Sequence, residues 1–254
     1  MKIAISGTAN TGKTTLIKDF LDVYQKFKTP EKTYRDIIVE NKLEHSSNTT
    51  KNTQAAICDF IYNEITTNKD EFVVYDRCLL DNLIYTIMGL VNGNETVDDI
   101  DWLKECHKKC IDSMRKIDII FWVPFSTAIP IEEDSLRDTS IEFITSVNSF
   151  FESVYNSFVT SNDEKSQKIL SNFFDLNDMP PIIKLESTSR IGRLTEIGHY
   201  IDPETCRAVA PQGIDEILSS VDDENLKKLI EEQQKLTEQK QKNSAIISDN
   251  TKLV

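Results

Sequence analysis

Four short stretches of the chain are apolar almost without interruption: Ile3-Ala4-Ile5, Phe72-Val73-Val74-Tyr75, Ile117–Val123 and Ile182–Leu185. None alternates apolar with polar positions, so each reads as a strand buried on both faces, as in a parallel sheet. Strands are expected near 2–6, 72–76, 117–123 and 182–186. A fifth is expected within 31–40, EKTYRDIIVE, although that stretch also fits a helical turn. Between these runs the apolar positions recur every three or four residues. That spacing predicts helices over 13–27, 54–66, 81–91, 98–114, 141–158 and 190–198. Strands alternating with helices imply an α/β fold, a three-layer sandwich with a mostly parallel sheet and helices on both faces.

Breaks in the pattern divide the chain further. Proline ends segments at Thr29-Pro30, Val123-Pro124 and Pro180-Pro181. Residues 44–53 are polar and read as a loop, which makes His45 a solvated residue rather than a catalytic base. Residues 125–139 form a long irregular connection. From Ile214 the pattern is helical but thinly apolar, and 222–243 is mostly Glu, Lys and Gln. The expected organisation is one domain over 1–213 and a charged helix and tail over 214–254. That helix is the candidate surface for a protein partner or self-association. Its leucines do not sustain a heptad repeat.

The turn after the first strand carries chemistry. Gly7-Thr8-Ala9-Asn10-Thr11-Gly12-Lys13-Thr14 matches the phosphate-loop pattern G-x-x-x-x-G-K-[ST]. A strand precedes it and an apolar-periodic segment follows, in the order the motif requires. Two glycines let the backbone curl around an anion, and the N–H groups of the loop and helix start, through Thr15, point at phosphate oxygens. Lys13 would reach the β- and γ-phosphates of ATP, and Thr14 would offer its hydroxyl to Mg²⁺. The second strand ends in Asp76-Arg77, where ligand groups gather in open α/β sheets. A carboxylate there can hold a metal-bound water or a substrate hydroxyl.

Composition narrows the field. The chain has 254 residues, 39% hydrophobic and 28% charged, with a formal net charge of −13. Such acidity argues against a protein that coats nucleic acid. No run approaches the 18 apolar residues of a membrane span, and Met1 leads directly into the first strand without an apolar leader. Five irregularly spaced cysteines suggest a reducing compartment, and the expected location is the cytoplasm. Cys106-His107-x-x-Cys110 could tempt a metal reading, but both thiols share a helix face with apolar residues and read as core.

Taken together, Gly7–Thr14, the stretch Val74-Tyr75-Asp76-Arg77-Cys78-Leu79-Leu80-Asp81-Asn82, the segment PIEEDSLRDT at 130–139, and the closing strand followed by Arg190 and Arg193 resemble a known group. The chain resembles the P-loop ATPase/kinase family related to the ribosylnicotinamide kinase domain of the bacterial NadR regulator, close to the nucleoside and thymidylate kinases. The resemblance covers roughly residues 2–200. It implies Lys13 and Thr14 on ATP·Mg²⁺, Asp76 beside the metal and the acceptor hydroxyl, Arg77 and Asp81 facing the acceptor, Arg137 in a mobile lid near 125–139, and Arg190 and Arg193 on the nucleotide. Family members phosphorylate small metabolites, so the expected activity is ATP-dependent phosphoryl transfer to a hydroxyl- or phosphate-bearing small molecule such as a nucleoside, nucleotide or nicotinamide riboside. The alternative is an ATPase or nucleotide-gated switch acting with a protein partner. Cys78 and Leu79 depart from the family pattern, where a small or polar turn would be unsurprising.

Overall fold

The first strand, β1 (Lys2–Ser6), is an interior strand of the sheet, with a parallel neighbour on each side. The protein is described by a computed structural model over residues 1–44, 49–91, 100–129, 140–159 and 179–209, all within the unit Met1–Val209. The expectations for His45, for Arg137 and residues 130–139, and for the 213/214 boundary and the helix beyond it fall outside the described residues.

After β1 come α1 (Lys13–Val23), α2 (Tyr34–Glu40), α3 (Lys51–Thr67), β2 (Val73–Asp76), α4 (Leu79–Val91), α5 (Ile100–Met114), β3 (Ile119–Trp122), α6 (Ile141–Val159), β4 (Ile182–Lys184) and α7 (Arg190–Gly198). The four strands form one sheet in the order β2-β1-β3-β4, and all three pairings are parallel. Successive side chains point to opposite faces, which produces two cores. Ile3, Ile5, Phe121 and Val123 meet Leu16, Ile17 and Phe20 of α1 and Ile197 of α7. Ala4, Tyr75, Ile120 and Trp122 meet the buried sides of α3 to α6. Cys106 and Cys110 lie in that second core, packed among Met114 and Ile117.

The expected strand within 31–40 is a helix, α2. Thr33 and Asp36 form a capping box, with the Thr33 N–H donating to Asp36 Oδ2 at 2.7 Å. Ile38 is buried while its neighbour Val39 is 59% exposed, which suits one helical turn resting on α3. The outer edge of β2 is met instead by a single bridge from Lys28, whose carbonyl accepts from Val74 N at 2.8 Å.

Candidate functional site

The loop between β1 and α1 turns through three left-handed residues, Gly7 (φ 134°), Asn10 (φ 57°) and Gly12 (φ 79°). At Gly7 the close approach is to the next strand end: an added Cβ would stand 2.3 Å from the carbonyl oxygen of Val123. Helix α3 is capped by Thr50 and α7 by Ser189, but no side chain caps α1, which leaves the N–H groups at its start facing the loop. Thr14 is half-buried and Thr15 exposed in that first turn. Lys13 is buried and folds back over the loop. Its Nζ donates to the Thr8 carbonyl and, at 3.2 Å, to Thr11 Oγ1. Burial, and then the nearby Arg77 cation, push the Lys13 ammonium well below the usual lysine range. A cation held among carbonyl dipoles in a dry loop is a receptor for an anion, and a bound phosphate would restore its charge.

Behind the loop, α7 acts as a brace. Arg193 is buried and donates from Nη1 to the Thr11 carbonyl at 2.8 Å and from Nε to the Ser187 carbonyl at 2.9 Å. The structure thus brings Arg193 to the phosphate loop itself. Arg190 is placed differently: it grips Asp19 on the flank of α1 through Nε at 2.8 Å and Nη2 at 2.5 Å, and stays 72% exposed.

The two carboxylates after β2 are in opposite situations. Asp76 is the last residue of β2, half-buried, and accepts no hydrogen bond among the described residues, yet it lies within the electrostatic reach of Lys13, Arg77 and Arg35. Asp81 is 1% exposed and is surrounded by donors from the chain. Ser6 Oγ donates to it at 2.8 Å, Gly7 N at 3.0 Å, Cys78 N at 3.0 Å and Arg77 Nη1 at 3.3 Å. The same Arg77 Nη1 donates to the Gly7 carbonyl at 2.9 Å. Arg77 reaches both because its own backbone is left-handed, at φ 86°, a conformation that costs a side-chain residue of order 1–3 kcal/mol.

Residues that sequence reasoning passed over complete the site. Tyr34 and Tyr85 sandwich the Arg77 guanidinium at 5.3 and 5.4 Å from their ring centres. Burial alone would raise the Tyr34 phenol, but Arg77 and Arg35 outweigh it and hold the phenol below its ordinary value. Tyr155, on α6, reaches Ser6 with its hydroxyl. Tyr85 sits one helical turn after Asp81 and Tyr155 one turn after Phe151. That spacing marks them as inward-facing, but nothing in it shows which polar groups meet their hydroxyls.

Residues 2–161, well over half of the chain, match a family model described as an AAA domain. No curated protein matches the chain in sequence. Among solved structures, NadR protein in complex with NR is similar with a TM-score of 0.55 at 17% identity, over 84% of this chain and 53% of the NadR chain. This chain therefore spans about half the length of that protein. Deoxyadenosine kinase from M. mycoides with bound dATP is similar with a TM-score of 0.55 at 18% identity, over 78% of this chain and 97% of the kinase. The same kinase with products dCMP and dCDP bound gives a TM-score of 0.54 at 19% identity, over 78% and 96%. At these identities the likeness is one of fold.

Proposed function

We propose that this chain, a member of the AAA domain family, is a P-loop kinase that transfers the γ-phosphoryl group of ATP to a small hydroxyl- or phosphate-bearing metabolite. One observation carries the reading: Asp76 is an unengaged carboxylate beside the buried cation of the phosphate loop, where it can face a second substrate. A carboxylate at that place can serve the metal of the nucleotide, the hydroxyl of an acceptor, or both in turn. The fold shared with a deoxyadenosine kinase and with NadR supports the same choice, as does a small nucleoside or nucleotide as acceptor.

In this reading the loop N–H groups and the start of α1 bind the β- and γ-phosphates, and Lys13 leaves the Thr8 carbonyl for a phosphate oxygen. The donor set fits a magnesium nucleotide: an uncapped helix start and a depressed lysine for the anion, with the Thr14 hydroxyl and the Asp76 carboxylate as oxygen ligands for Mg²⁺. When bound, the metal would screen charge on the transferred group. Asp76 orients the acceptor oxygen in line with the γ-phosphorus and takes its proton as the new O–P bond forms and the bridging O–P bond to ADP breaks. Arg137 is assigned to charge on the transferring group, and Arg193 to holding the loop.

The test is incubation with γ-labelled ATP and pools of nucleosides, nucleotides and pyridine ribosides. Label in a small organic product supports the kinase. Label released only as inorganic phosphate, unchanged by every pool, would replace it with an ATPase or nucleotide-gated switch.

A further inference from the structure

Asp81 was expected to face the acceptor, yet its carboxylate has no acceptor capacity to spare. Two carboxylate oxygens offer about four lone-pair sites, and five donors of the chain crowd them: Ser6 Oγ, Gly7 N, Cys78 N, Arg77 Nη1 and, weakly, the Cys78 thiol. The proton of Ser6 is committed to Asp81, so the Tyr155 hydroxyl is the donor in its contact with Ser6 Oγ. The Tyr155 ring is fully buried, at 5.2 and 5.8 Å from the ring centres of Trp122 and Phe151, and the Cys78 thiol also stands beside its hydroxyl. Two paths thus converge on the Asp81 carboxylate: Tyr155 donates to Ser6 and Ser6 to Asp81, while the Gly7 N–H donates to the same carboxylate from the loop.

The Gly7 contact matters because a phosphate loop binds through the directions of its N–H groups. Gly7 has no side chain to hold its own peptides, and its backbone is free to occupy regions closed to other residues. Its N–H is held by Asp81 and its carbonyl by Arg77, whose charge Asp81 also balances. The first residue of the loop is therefore gripped at both ends by one buried ion pair. We propose that Asp81 and Tyr155 are positioning residues for the phosphate loop, which set the Gly7 peptide through Ser6 and Arg77 and touch neither substrate. This rests on the nucleotide-binding reading above and assigns Asp81 a different duty from acceptor binding.

The experiment is calorimetric titration of Mg·AMP-PNP into the full chain and into Asp81→Asn, Tyr155→Phe, Ser6→Ala and the Ser6→Ala/Tyr155→Phe double variant. Their ¹H–¹⁵N spectra follow the Gly7 amide. Affinity is expected to fall at least tenfold in Asp81→Asn and at least threefold in Tyr155→Phe. The Gly7 amide resonance is expected to move in both, and the double variant to bind no worse than the weaker single variant, because both changes cut one chain. Independent structural damage would instead add. If Asp81→Asn does not fold, the Tyr155–Ser6 cycle decides alone. Wild-type affinity and an unmoved Gly7 amide in Tyr155→Phe, or strict additivity in the cycle, would overturn the proposal and leave nucleotide binding standing. Failure of the wild-type chain to bind Mg·AMP-PNP would remove both.

Discussion

Replacing Gly7 with alanine puts a single methyl group where the structure has no room for one. The residue stands at φ 134°, and the new Cβ would lie 2.3 Å from the Val123 carbonyl oxygen. That oxygen cannot simply retreat, because Val123 is tied back to β1 by its own N–H, which donates to the Ser6 carbonyl at 2.9 Å. Two costs combine. Holding alanine in a backbone region reserved for glycine costs about 1–3 kcal/mol, and forcing the strand end and the loop apart costs about 1–3 kcal/mol more. For a domain of this size each kcal/mol moves the melting point by about 2–4 °C. Gly7→Ala should therefore melt roughly 5–20 °C below wild type, followed by circular dichroism. Added Mg·AMP-PNP should raise the melting point of wild type and leave that of the variant almost unmoved. Gly198→Ala is the internal control: it ends α7, and its added Cβ would make an ordinary 3.7 Å contact with Tyr24 Oη. It should be neutral or stabilise by about 0.5 kcal/mol. A Gly7→Ala protein that melts within about 2 °C of wild type and still binds AMP-PNP would refute the packing argument.

Asp76→Asn should spare AMP-PNP binding and lower phosphoryl transfer about 10²-fold, equivalent to about 2.7 kcal/mol of transition-state stabilisation. Turnover near wild type would make Asp76 a structural residue. Arg193→Ala, which leaves the Thr11 and Ser187 carbonyls without their donor, should cost about 2–4 kcal/mol by urea denaturation and weaken nucleotide binding. Arg190→Ala, whose guanidinium is exposed although its partner Asp19 is buried, should cost about 1 kcal/mol, and equal losses would contradict the distinction. Lys13 gives a pH signature. Burial and Arg77 depress its pKa in the folded state, so between that lowered value and the ordinary lysine value the unfolded chain binds more protons than the folded one. Stability should then rise with pH across that window. Lys13→Met should flatten the rise while abolishing AMP-PNP binding, and an unchanged pH slope would show that the ammonium is not desolvated.

Much of the fold was legible because local and global signals agree along it. Ile3–Ile5, the phosphate loop and α1 follow each other in a fixed order, and the strand ending in Asp76 carries its polar residue at the sheet edge where parallel α/β folds collect ligands. The stretch 31–40 misled because Ile37, Ile38 and Val39 are β-branched. The decision for helix came from two polar residues, Thr33 and Asp36, closing a capping box. At the site, Arg77 and Asp81 are expected from the resemblance to face the acceptor, and spacing did not show that they pair with each other. Nor could it show that Ser6, from a strand 75 positions earlier, would meet the Asp81 carboxylate first. Tyr155 was hidden for the same reason. As one aromatic on an apolar helix face it differs from Phe151 by a single oxygen, and the worth of that oxygen depends on what stands opposite in three dimensions.

The position of β1 between β2 and β3 has a consequence for how the chain is made. β1 is made before either of its partners: Ile3 pairs with Val74 and with Ile119. At about 5–20 residues per second, roughly 6–23 s separate the synthesis of Ile3 from that of Ile119. Through that interval the nascent chain carries an unpaired apolar strand followed by a glycine-rich turn whose far wall, at Val123, does not yet exist. On the proposed reading, nucleotide would engage only after β3 has docked, so it would not template the early steps. Long-range closures of this kind are slow. Holdase binding to nascent chains that end before β3, with release once β3 clears the exit tunnel, is the behaviour this topology demands.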